Sequence, residues 1–218
     1  MPTTTTKKKT KKQLAREKMR REIARRNKAF AAAATAEKRV LIAKDVLAQI
    51  KAKRFAAAHG VWVDAANKPL SAAPGYIHIA APIDDKFSET DSVRELFIAG
   101  DIQRCRCCAL GALFMSCTLY NNKTTVEDFV EEISWDFGEI VDNGQFKNQL
   151  TSFFSRAQLK LIESVFESEN GVFDVGTDDR KRDLVDAWSH KFRQPEDRLV
   201  AIMQNIIRNK GTFVLKDL

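Results

Sequence analysis

The apolar positions of this chain fall into blocks whose spacing changes along its length. From Glu37 to Arg54, Val40, Ala43, Leu47 and Ile50 recur at intervals of three and four, and Ile42 and Val46 widen the stripe. That period predicts an amphipathic helix belonging to a folded body. The pattern then changes. Gly60 to Asp64 and Tyr76 to Ala80 carry β-branched and aromatic residues, with Pro69 and Pro74 between them. They predict two short strands, read as a hairpin.

After Pro82 the helical period returns. Asp91 or Ser92 caps a predicted helix through Phe97 that stops at Gly100, and residues 107–120 form a second candidate. Thr124 with Glu127 gives a capping-box signature for a third helix, ending near Ile133, and Ser155 with Gln158 repeats it ahead of Leu159, Ile162, Val165 and Phe166. Asp178 and Asp179 open a helix carrying Leu184, Val185, Trp188 and Phe192. The clearest element comes last. Pro195 suits the first helical position, Glu196 and Asp197 complement the helix dipole, and Gly211 suits the left-handed stop. Between them lie Leu199, Ile202, Met203, Ile206 and Ile207, and the tail from Thr212 to Leu215 reads as a short strand joining the earlier pair.

The beginning of the chain has a different character. Residues 1–12 are, after Met1, only Pro, Thr and Lys, and are expected to be disordered. From Gln13 to about Thr35 the composition favours helix, but its large apolar residues are sparse: Leu14, Met19, Ile23 and Phe30. Such a helix is either exposed to solvent or waiting for a partner. The segment from Ala31 to Ala36 admits both a continuous rod and a flexible joint. The expected fold is mainly α: one compact helical domain over residues 37–218 with a small two- or three-stranded β element, preceded over residues 1–36 by a basic helical or disordered arm.

Charge sharpens this division. Residues 1–60 hold 18 basic and 4 acidic side chains, or +14, and the remainder 18 and 25, or −7, so a cationic arm joined to an acidic body lies behind the net +7. Twelve of the basic residues fall in the first 28 positions, opposed only by Glu17 and Glu22. A cluster of this kind is a handle for a polyanion. Lys and Arg neutralise phosphates and release counterions, giving affinity that falls with salt and reads little sequence. Phe30 is the only aromatic residue nearby, which argues against base-stacking readout of single strands. The candidate nucleic-acid contacts are Lys7, Lys8, Lys9, Lys11, Lys12, Arg16, Arg20, Arg21, Arg25, Arg26 and Lys28, with Arg20, Arg21, Arg25 and Arg26 foremost. No stretch approaches the ~20 apolar residues of a membrane span, and the arm lacks the aromatic and leucine face of a membrane-surface helix. An Arg-rich, acid-poor start also suits a mitochondrial-type targeting segment; the Lys run favours an anion-binding tail.

Four cysteines lie within thirteen residues: Cys105, Cys107, Cys108 and Cys117. A disulfide framework would spread them out, so clustering points to a reducing compartment, the cytoplasm. Cys105 and Cys108 have C-x-x-C spacing at the start of the 107–120 segment, flanked by Arg104 and Arg106. Positive neighbours and a helix N-terminus would favour a reactive thiolate. Zinc is a second reading, with Cys117 or a histidine completing the set, although His59, His78 and His190 are scattered. The third reading is that the cysteines are small buried hydrophobes, with Cys108 and Cys117 on the apolar side of a helix beside Leu110, Leu113 and Phe114. Ala109, Gly111, Ala112 and Ser116 on that helix suit close approach by a neighbour. Glu167, Glu169, Asp174, Asp178 and Asp179 lack the order of a calcium loop, and Glu127, Asp128, Glu131 and Glu132 read as a charged helix face. The usual nucleotide-binding, hydrolase and zinc-protease signatures are missing.

Two segments carry a resemblance. Cys108-Ala109-Leu110-Gly111-Ala112-Leu113, and the run from Arg198 to Ile207 followed by Gly211-Thr212-Phe213, resemble a group of uncharacterised bacterial and phage proteins. The likeness implies a prokaryotic or viral origin and assigns no catalytic residue. A phage accessory or anti-defence factor fits it. The expectation is a non-enzymatic binding protein without a cofactor. Its arm contacts nucleic acid or a nucleoprotein, and its acidic body offers a surface to a protein partner. A structural or assembly protein of virion or scaffold type is the alternative, and a thiol-redox or zinc protein centred on Cys105 and Cys108 is the third.

Overall fold

The computed structural model describes residues 10–61, 63–66, 88, 90–99, 102, 104–120, 124–125, 147–168 and 179–217. Among them the architecture is mainly helical with one small sheet. Helices α1 (Lys11–Ala32) and α2 (Thr35–Lys51) lead into strands β1 (Phe55–Ala57) and β2 (Val63–Ala66). Helix α3 (Val93–Ala99), strand β3 (Arg104–Cys107) and helix α4 (Ala109–Tyr120) follow, and then α5 (Lys147–Leu150), α6 (Arg156–Glu167), α7 (Asp179–Lys191) and α8 (Pro195–Arg208).

Helix α4 is the hub. Every residue from Ala109 to Leu119 is buried, and α1, α2, α3, α5, α6, β1 and β3 all touch it. Its small residues serve that crowding: Ala109, Gly111, Ala112 and Ser116 let neighbours approach on all sides, which compensates for the helix-weakening glycine. Helix α2 presents Ile42, Ala43, Val46 and Ile50 to the same core and packs along α8, whose Leu199, Ile202, Met203 and Ile206 are buried. The 3.6-residue period holds in α8, and in α2 the buried side is centred on Ile42, Ala43, Val46 and Ile50, with Val40 and Leu47 only half-buried.

The sheet has the order β1-β3-β2. β1 runs parallel to β3, with Phe55 opposite Cys105 and Ala57 opposite Cys107. β2 runs antiparallel, with Val63 opposite Cys107 and Ala66 opposite Arg104. Arg104 is exposed and Arg106 half-buried, while Cys105 and Cys107 are fully buried. The Arg-Cys-Arg-Cys alternation is thus a strand with one face inward.

Several sequence expectations change here. The 107–120 helix starts at Ala109, and Cys107 ends a strand. The stretch expected to be disordered is helical from Lys11, because Thr10 forms a capping box: its Oγ1 accepts from the Gln13 N–H at 3.2 Å and its own N–H donates to Gln13 Oε1 at 2.8 Å. The first strand begins at Val63 and pairs with β3. Its proposed partner at Tyr76 to Ala80, and the helix expected from Thr124 to Ile133, lie outside the described residues save for Thr124 and Thr125.

The C-terminal tail is not a strand. Side chains take the place of a pairing strand. Gln158 donates from Nε2 to the Phe213 carbonyl at 3.0 Å and accepts the Phe213 N–H on Oε1 at 2.9 Å. Asn205 does the same for Val214, at 2.9 Å in each direction, and also donates to Asp217. Trp188 Nε1 donates to the Leu215 carbonyl at 2.8 Å. Ser155 caps α6 as expected, but Gln158 leaves the reciprocal half of the capping box for this tail. Gly211 takes the expected positive φ of 94°, and a Cβ there would stand 2.3 Å from the Ala36 carbonyl oxygen. The tail begins where only glycine lets it pass the start of α2.

Candidate nucleic-acid interface

Ala33 and Ala34 are both extended, so α1 and α2 are separate helices rather than one rod. The joint turns α1 back onto the body. Ile23 is buried, and Met19 and Phe30 pack against the core. The Phe30 ring stacks on Tyr120 at the end of α4, centroids 4.4 Å apart, and meets Phe153 edge-on. Met19, Ile23 and Phe30 therefore lie on one side of the helix, and their partner is the protein itself.

That docking sorts the basic residues into two classes. Arg16 donates to the Ala99 carbonyl at 2.9 Å, and the more exposed Arg20 pairs with Glu95 at 3.0 Å. Arg26 reaches inward: Nη1 meets Asp45 Oδ1 at 2.6 Å and Nη2 meets Glu22 at 2.8 Å. Asp45 is buried on α2 and also accepts from Ser116 Oγ at 2.9 Å and from Gln49 Nε2. Burial pushes its carboxyl above the ordinary range, with Ser116, Arg26, Gln49 and Arg54 pulling the other way. Arg16, Arg20 and Arg26 are thus anchors as much as free charge.

Lys18, Arg21, Arg25 and Lys28 form the second class. All four are exposed, and among the described residues none has an ion pair or hydrogen bond. Their spacing of three, four and three places them on the side of α1 opposite Met19, Ile23 and Phe30. At 1.5 Å per residue the row is about 15 Å long. Leu14, the exposed large hydrophobic residue of the described set, projects from the same side at 53% exposure. Lys11 and Lys12 occupy the first turn, which contains no acidic residue and adds the positive end of the helix dipole. Lys7, Lys8 and Lys9 lie outside the described residues.

No family model, curated protein or solved structure matches this chain.

The cysteines do not form a second site of the kind their spacing suggested. Cys105 and Cys107 are in β3 and all four thiols are buried. Burial raises Cys107, Cys108 and Cys117 above the ordinary thiol value, and Glu167 and Glu163 push Cys108 further in the same direction. These thiols do not meet the expected thiolate-favouring environment, because desolvation by burial is the largest influence on each. Cys108 has a structural task instead: its Sγ accepts from the Gly111 N–H at 3.4 Å in the first turn of α4. Among the described residues no group of three or more His, Cys, Asp or Glu is placed to hold a metal ion. His59 lies edge-on to Phe166, His190 is exposed on α7, and His78 lies outside the described residues. Among the described residues no helix is long and apolar enough to cross a membrane.

Sequence reasoning missed the division of labour within α1. Its signal was present in two places. Asp45 falls on the apolar stripe of α2 between Ile42, Val46 and Gln49, where a carboxylate needs a cation, and Ser116 is a polar residue on an otherwise apolar helix.

Proposed function

We propose that this protein is a non-enzymatic binder of nucleic acid or of a nucleoprotein, acting through the outward row Lys18, Arg21, Arg25 and Lys28 of α1. The observation that carries this reading is that these four cations are unpaired on one side of a helix whose other side is fixed to the body. A row held rigid by a core loses little conformational entropy on binding, unlike a mobile tail. Its chemistry neutralises phosphates and supplies no bidentate base readout beyond what two arginines offer, so affinity depends on salt more than on sequence. The Lys7 to Lys12 run adds charge at the same end of the chain. The likeness of two other segments to bacterial and phage proteins extends the reading to a prokaryotic or phage accessory factor.

The test is binding of labelled duplex DNA, single-stranded DNA and RNA across a salt series, for the full chain and for a variant with Lys18, Arg21, Arg25 and Lys28 all changed to Gln. For duplex DNA the slope of log K against log salt is expected to flatten by about 3 to 4 in the variant. An unchanged slope, or no binding at low salt, overturns the assignment. Charge removal is preferable to deleting α1, since deletion would strip Arg26 from the buried Asp45.

A further inference from the structure

The inner side of α1 creates a second feature. Between α1, α2 and α3 lies a cleft of about 460 Å³, within the ~300–1,000 Å³ of pockets that hold small organic molecules. Met19, Ile23, Ile98 and Leu119 supply apolar wall, and Arg54, just past the end of α2, lines it as well.

Arg54 distinguishes this cleft from a packing gap. Its guanidinium lies over the Phe97 ring, 5.0 Å from the centroid, and its closest polar contact is the Met19 sulfur at 3.5 Å from Nη2. Among the described residues no carboxylate or carbonyl oxygen meets it at hydrogen-bond distance. Of the other two guanidinium groups of the cleft, Arg26 is committed to Asp45 and Glu22, while Arg16 gives one N–H to the Ala99 carbonyl and keeps a buried Nε without a partner among the described residues. The oxygens of Asp45 are taken up by Arg26, Ser116 and Gln49, so Asp45 reaches Arg54 only as a more distant charge. Arg54 is half-buried, and burial lowers its pKa while the charge of Asp45 pulls the other way. A fork of five N–H donors faced mainly by a thioether and a ring is under-used. Lys18, Arg16, Arg26 and Arg54 also outnumber Glu22 and Asp45 around the cleft.

We propose that the cleft binds a small organic carboxylate with an apolar body, whose head is held by the Arg54 fork. One guanidinium matches one carboxylate bidentately. Met19, Ile23, Ile98 and Leu119 give the cleft hydrocarbon walls, which favours an anion with an apolar body over a bare phosphate. The site shares Lys18 with the outward row on α1 but includes none of Arg21, Arg25 and Lys28.

The probe is octanoate, with octan-1-ol as its neutral counterpart, measured by calorimetry and thermal shift on the full chain. Octanoate is expected to bind saturably and to raise the melting temperature, with the alcohol weaker by roughly tenfold or more. R54Q should bind acid and alcohol alike. A48L narrows the cleft from α2 without changing charge and should weaken both. The proposal is overturned if octanoate fails to bind by about 10 mM, if the alcohol binds as well as the acid, or if R54Q retains the preference. If R54Q does not fold, A48L decides: undiminished octanoate binding there overturns the site. A variant with R21Q and R25Q should keep octanoate binding whatever becomes of its nucleic-acid affinity.

Discussion

At the scale of single residues, Arg198 shows how much a buried cation can organise. It is fully buried on α8. Its Nε donates to the Phe192 carbonyl at 2.9 Å, Nη1 to the Phe166 carbonyl at 2.8 Å, and Nη2 to the Ser189 carbonyl at 3.3 Å. Those carbonyls belong to the last turns of α6 and α7 and the residue just beyond. One guanidinium therefore serves the negative ends of two helices and ties both to a third. Replacing Arg198 with Met is expected to cost about 3 kcal/mol or more in urea unfolding, since the carbonyls would stay buried without donors. Lys at this position should recover less than half of that loss, because a single ammonium does not span the fork. A loss below about 1 kcal/mol would mean that water replaces the guanidinium.

At the scale of elements, α1 is a helix with two occupations. Its inner side is held by Ile23, Met19, Phe30 and the Arg26–Asp45 pair, and its outer side carries the unpaired row. The pair gives the docking a pH signature. The folded pKa of Asp45 lies above its unfolded value. Its favourable contribution is therefore complete below about pH 4, the unfolded value, and is lost as pH rises through the folded one. Urea melts of the wild type and of Asp45→Asn, taken from acid to neutral pH, are expected to show the wild type's advantage shrinking as pH rises. An advantage that grows instead would mean that Arg26, Ser116 and Gln49 together outweigh desolvation. The same element-level logic applies to β3. Its Arg-Cys-Arg-Cys alternation is a half-buried strand that the C-x-x-C spacing disguised as a helix start, although period two was visible in four consecutive letters.

At the scale of the whole molecule, the four cysteines and the uneven charge report on how the core was assembled. All four thiols are in the interior, packed about α4 and the sheet. A thiol reagent at mildly alkaline pH is therefore expected to react slowly with the native protein and rapidly with all four cysteines in denaturant. A native thiol that reacts at once would show that the sheet edge opens readily. The acidic residues of the body also enter the α1 interface, where Glu95 and Asp45 receive Arg20 and Arg26. Part of the charge asymmetry seen in the sequence is thus internal pairing, while Lys18, Arg21, Arg25 and Lys28 have no such pair among the described residues.

The mainly helical class, the Ser155-capped start of α6, the Pro195 start of α8, the stop at Gly211 and the crowded small-residue helix were all legible in the sequence. Each depends on local rules: a 3.6-residue period, a cap three residues from its partner, a glycine where φ is positive. What only tertiary structure decided was long-range. Gln158 and Asn205 occupy the tail's backbone groups, so the apolar run from Thr212 to Leu215 is fixed without a sheet. Burial reversed the expected chemistry of the cysteines, because desolvation is a property of the packed interior and not of neighbouring letters. The basic segment was divided into anchors and free cations by a joint at Ala33 and Ala34 and by a carboxylate nineteen residues from Arg26. Charge can be counted along a chain, but whether a charge is spent or available depends on what the fold places opposite it.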